Sequence, residues 1–126
     1  MSDRLPRIMV VDPDADFATA LSTLLDNRGY HVVRRSFGID ALEYVAEDHP
    51  DLVVSEVALP DCDCHELLTS IRKISPSTRV LFITRGGREE RLPEGIEGNM
   101  VRLDRRPEET DGIIRAVDQL MARIAS

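Results

Sequence analysis

Tryptophan is absent, and aromatic residues make up only 4% of the 126 positions. The two cysteines are too few for a disulfide scaffold and are expected to stay reduced, as in a cytoplasmic protein. No apolar run approaches the ~20 residues needed to span a membrane, and no signal peptide is expected ahead of the first strand. Positive charge is in deficit: 16 Lys and Arg against 23 Asp and Glu give a formal charge of −7. That balance disfavours nucleic acid, whose affinity comes largely from cations on phosphates, and it disfavours anionic membranes. There is no glycine-rich phosphate cradle, no Ser-His-Asp pattern, no internal repeat and no interdomain linker.

What is present is an alternation of short apolar runs and amphipathic stretches, in a length that suits one domain over 1–126. Ile8-Met9-Val10-Val11 reads as a strand. Asp14 then caps a helix carrying Phe17, Leu21, Leu24, Leu25 and Arg28 on one face, closed by Gly29. His31-Val32-Val33, followed by basic residues, reads as an edge strand. Ala41, Leu42 and Val45 mark a second helix, ended at His49-Pro50. Leu52 to Ser55 reads as a strand buried on both faces. Asp63 caps a third helix with Glu66 three residues on, and Leu67, Leu68, Ile71 and Ile74 are expected to face inward. Val80 to Ile83 is another buried strand. A short helix is expected between Gly86 and Gly98, a last strand over Met100 to Leu103, and a final amphipathic helix through Ile113, Ile114, Val117, Leu120, Met121 and Ile124.

Five such units predict an α/β fold with a doubly wound, five-stranded parallel sheet. Right-handed crossovers permit the flavodoxin-like strand order 2-1-3-4-5, with about five helices on both faces. In such sheets the site lies beyond the carboxyl ends of the strands. The residues there are Asp12, Glu56, Thr84 and the basic pair Arg105-Arg106.

With those residues in place, the chain resembles the receiver domain of two-component response regulators over essentially its whole length. Ile8 to Asp12 resembles the first strand and acidic corner. Pro50 to Glu56 followed by Leu59-Pro60 resembles the phosphoacceptor segment, Thr84 the hydroxyl position, and Arg106-Pro107 the Lys-Pro position. The resemblance implies phosphorelay signalling with protein partners: a histidine kinase, an output protein or a scaffold. It places the partner face over 85–124 and makes homodimer formation an option.

The departures gather in the active site. Pro13 stands where a second acid helps bind Mg²⁺, and Glu56 stands where the family has its phosphoacceptor aspartate. Arg106, or Arg105 with a one-residue slip, replaces the lysine. Leu103 replaces the aromatic switch residue, Arg85 a small residue, and Cys64 a glycine. A Mg²⁺-site remnant would comprise Asp12, Glu56 and Ala58. Glu56 carries one more methylene than aspartate, so its carboxylate reaches about 1.5 Å further, and a misplacement of about 1 Å can cost on the order of 10²-fold in rate. The sequence reading is therefore a phosphorylation-independent protein-interaction module that is not an enzyme and needs no cofactor. Glu56 is expected either to pair structurally with Arg106 or to mimic a phosphoaspartate.

Two other readings stay open. A working phosphoacceptor site would need Mg²⁺ and would place the phosphoryl group on Glu56 or on a nearby acid such as Asp61. A metal or thiol sensor would use Cys62, Cys64 and His65, where two thiols and an imidazole fall within four residues.

Overall fold

The computed structural model describes residues 5–84, 100–102 and 110–125. Its strands are β1 (Arg7–Val11), β2 (His31–Arg35), β3 (Leu52–Glu56), β4 (Arg79–Thr84) and β5 (Met100–Arg102). Its helices are α1 (Ala15–Asp26), α2 (Gly38–Asp48), α3 (Cys64–Ile74) and α4 (Thr110–Ala125). The helix expected between Gly86 and Gly98 lies outside the described residues, as does Leu103.

All strand pairs are parallel, in the order β2-β1-β3-β4-β5. Parallel neighbours require crossovers, and those that follow β1, β2 and β3 are the helices α1, α2 and α3. On one face Ile8, Val10, Leu52, Val54, Leu81 and Ile83 meet α1 and α4 through Leu21, Leu25, Ile113 and Val117. On the other face Met9, Val11, Val53, Val80 and Phe82 meet α2 and α3 through Val45, Leu67 and Ile71. Alternate residues of one strand thus serve opposite cores, which is why β1, β3 and β4 read as continuous apolar runs. β2 stands at the edge of the sheet and has no fully buried residue, as its basic end implies.

Local chemistry sets the helix ends. The Asp14 carboxylate accepts the Phe17 N–H at 3.2 Å, and the Asp63 carboxylate accepts the Glu66 N–H at 2.8 Å. α2 ends at His49, which takes a left-handed conformation with φ of 49°, and Pro50 follows. Two residues depart from the inward-facing pattern: Leu24 is 41% exposed and Ile74 is 37% exposed. Both lie near the end of a helix, at the margin of its apolar stripe, where the sheet no longer covers them.

A polar contact joins the turn after α1 to α4 on the first face. Tyr30 donates to Asp118 Oδ1 at 2.7 Å, and Arg28 pairs with the same carboxylate. Burial, the hydrogen bond to Asp118 and its negative charge push the Tyr30 hydroxyl up to about 12, with Arg28 pulling the other way.

Candidate functional site

Asp12 and Glu56 follow from the sheet's geometry. β1 and β3 are neighbours, with Val11 in register with Ser55. The next residue on each strand is an acid, so the two are delivered side by side at the carboxyl edge. Glu56 is in register with Ile83 on β4, and Thr84 follows it. All three are buried: Asp12 is 2%, Glu56 1% and Thr84 5% exposed.

Each acid engages its own loop. Asp12 Oδ1 accepts the Asp14 N–H at 2.9 Å, and the Asp12 N–H donates to the Arg35 carbonyl at 3.0 Å. Glu56 Oε1 lies 3.4 Å from the Ala58 N–H. Ser55 Oγ donates to the Glu56 carbonyl at 2.9 Å, and the Val57 N–H donates to Ile83 O at 3.0 Å. The backbone leaving β3 is therefore fixed to β4 before the loop begins.

Pro13 contributes no carboxylate, and Ala58 forms an isolated antiparallel bridge with Asp63. Among the described residues no three His, Cys, Asp or Glu side chains gather in a geometry that could hold a metal ion. Mg²⁺ requires near-octahedral oxygen coordination, commonly one or two carboxylates with several waters, and Asp12 and Glu56 are the two carboxylates that the described strand ends bring to this edge. Arg85, Arg105 and Arg106 lie outside the described residues. The chain's one lysine, Lys73, sits in the last turn of α3, so no lysine stands at the Lys-Pro position in either register.

The Cys62-Asp63-Cys64-His65 cluster is divided by the fold. Cys64 is buried in the second core beside Leu67, His65 is exposed on the same helix, and Cys62 is half-buried in the loop. Burial raises the Cys62 thiol above its ordinary value, and Glu66, Asp61 and Asp63 add to the rise. A protonated thiol is a poor metal ligand and a slow nucleophile.

Asp61 has a role that sequence reading missed. Its Oδ1 accepts the Gly38 N–H at 2.8 Å and its Oδ2 accepts the Ile39 N–H at 3.0 Å. The bonds from Ile39 and Gly38 hold its carboxyl below the ordinary range. Phe37, at the N-cap of α2, provides no side-chain bond, and that unfilled cap was the signal available in the sequence. Asp61 lines a groove of about 590 Å³ along the β3–α3 loop.

Comparison with known proteins agrees with this architecture. The sequence profile of the response regulator receiver domain matches residues 8–118, and the chain belongs to that family. It is 26% identical over 115 residues to sporulation initiation phosphotransferase F of Bacillus subtilis (strain 168), covering 91% of this chain and 93% of that protein. It is 24% identical over 125 residues to the transcriptional regulatory protein GlrR of Escherichia coli (strain K12). That match covers 99% of this chain, which spans only 28% of GlrR's length. The receiver domain protein (CheY-like) of Methanospirillum hungatei JF-1 superposes with a TM-score of 0.83 at 18% identity, covering 97% of this chain and 98% of that one. The chain is thus a receiver domain of two-component signalling, and the usual currency of such domains is contact with other proteins. No helix among the described residues is long and apolar enough to cross a membrane.

Proposed function

We propose that this receiver domain works without phosphorylation, as a protein-interaction module whose acceptor site is degenerate. The carrying observation is Glu56, a buried glutamate at the end of β3 whose carboxylate leans on the Ala58 N–H at the start of its own loop. Phosphoryl transfer to a receiver rests on in-line positioning and on neutralisation of the phosphoryl oxygens. The longer side chain disturbs the first. Pro13, and arginine in place of the lysine, weaken the second. These defects touch different parts of one step, so they multiply.

On this reading the domain is not an enzyme, requires no metal and signals by binding. A histidine kinase, an output protein or a scaffold is the partner class, with the 85–124 face as the first surface to test and homodimer formation as one form of assembly. The setting is the cytoplasm. Glu56 acts as a fixed internal acid, and arginine at position 106 is its natural counter-charge because a guanidinium can engage a carboxylate through two parallel bonds. Intact mass after incubation with a small phosphodonor and Mg²⁺ tests the reading. An unchanged mass supports it, and stoichiometric addition of a phosphoryl group overturns it.

A further inference from the structure

Two aspartates, two residues apart, serve two different helices. Asp63 caps α3, the helix that follows it, through the Glu66 N–H. Asp61 caps α2, an earlier helix, through the Gly38 and Ile39 N–H groups. The first N–H groups of a helix lack partners within it, and a carboxylate there is favoured by both hydrogen bonding and the helix dipole. α2 supplies no such group of its own, since its N-cap is Phe37.

Gly38 shows how closely the loop is seated. A Cβ built at that position would lie 2.6 Å from Cys62 Cβ and 3.2 Å from its sulfur. Only a glycine lets α2 approach the loop at this distance. The loop is also closed on itself, since Ala58 and Asp63 form an antiparallel bridge. It starts at Ala58, whose N–H faces Glu56. Contacts therefore run from the first turn of α2, through Asp61 and Cys62, to the backbone group that orients the Glu56 carboxylate.

We propose that Asp61 is a positioning residue that ties the β3–α3 loop to the first turn of α2, so that the loop's hold on Glu56 depends on this tie. The inference goes beyond the functional reading above and stands whether or not the site accepts a phosphoryl group. A shift of the α2 N-terminus is carried to Ala58, and a disturbance at Glu56 is carried back to Gly38 and Ile39.

The test uses the ¹⁵N-labelled full chain with no phosphodonor, so its outcome is separate from that of the mass measurement. Asp61→Ala is expected to move the Ala58 amide resonance and to speed its hydrogen exchange about tenfold, alongside faster exchange at Gly38 and Ile39. Asp61→Asn, which keeps one acceptor oxygen, is expected to restore part of the Ala58 protection. Gly38→Ala keeps Asp61 but forces the loop away from α2, and is expected to move the same Ala58 resonance. If Asp61→Ala loosens Gly38 and Ile39 while Ala58 is unchanged, Asp61 is only a helix cap and the proposal fails. Should Asp61→Ala not fold, Gly38→Ala decides: an unmoved Ala58 resonance overturns the tie and a moved one supports it.

Discussion

Glu56 closes β3 with its Oε1 3.4 Å from the N–H of Ala58, two residues further along the chain. A carboxylate oriented by its own loop sits among fixed protein dipoles, with part of its coordination supplied before any ligand arrives. Asp12, on the neighbouring strand, is likewise engaged by the Asp14 N–H. Both acids are positioned by the backbone beside them.

Repairing the acceptor site should require more than one change. Glu56→Asp alone shortens the side chain but leaves Pro13 and the arginine in place. It is expected to leave the intact mass unchanged after exposure to a phosphodonor and Mg²⁺. Pro13→Asp, Glu56→Asp and Arg106→Lys together are expected to admit a phosphoryl group, because the shorter acid restores positioning, worth on the order of 10²-fold in rate, and the other two restore neutralisation of the phosphoryl oxygens. Labelling of the single variant would contradict the multiplicative account.

Removal of the Asp61 carboxylate should cost about 1 kcal/mol, the usual scale of a helix cap. The pH dependence has a definite sign. The folded carboxyl lies below its ordinary 3.8 because it accepts the Ile39 and Gly38 N–H groups. Its contribution is present above the unfolded value and is lost as pH falls through the lower folded value. Denaturant melts of the native chain and Asp61→Ala should therefore differ at neutral pH and converge in strong acid. A gap that persists unchanged in strong acid would show another origin.

Tyr30 gives the opposite case. Its hydroxyl is raised from 10.0 to about 12, so the folded state favours the protonated form. That stabilisation is fully present below the unfolded value and is lost as pH rises through about 12. Asp118→Asn removes the negative charge, leaving burial as the main cause. An absorbance titration is expected to show Tyr30 ionising at lower pH in that variant, and an unchanged midpoint would contradict the contact.

Packing predicts a contrast within one helix. Leu21 is fully buried between α1 and the sheet, so Leu21→Ala should cost about 2–5 kcal/mol. Leu24, 41% exposed, should tolerate alanine at about 0.5 kcal/mol or less. Equal losses in thermal or urea melts would contradict the assigned helix face.

That contrast shows where sequence reading stops. The strands were legible because β1, β3 and β4 are buried on both faces and show unbroken apolar runs. The aspartate caps at Asp14 and Asp63 were legible because both partners lie within three residues. Asp12, Glu56 and Thr84 could be placed at one edge because parallel strands bring their ends together. Leu24 and Ile74 misled because helical periodicity marks a stripe but not where the sheet beneath it ends. Asp61 was read as a spare acid because its partners, Gly38 and Ile39, lie 23 and 22 residues away, and no local pattern encodes a cap supplied across space.

The most direct test of the central claim is an amide NMR titration with Mg²⁺ and then beryllofluoride, a phosphoryl mimic. A site closed to phosphoryl chemistry predicts that the Asp12, Glu56, Ala58 and Thr84 resonances stay in place through both additions. Saturable shifts centred on those four residues would contradict it and restore a phosphate-responsive receiver.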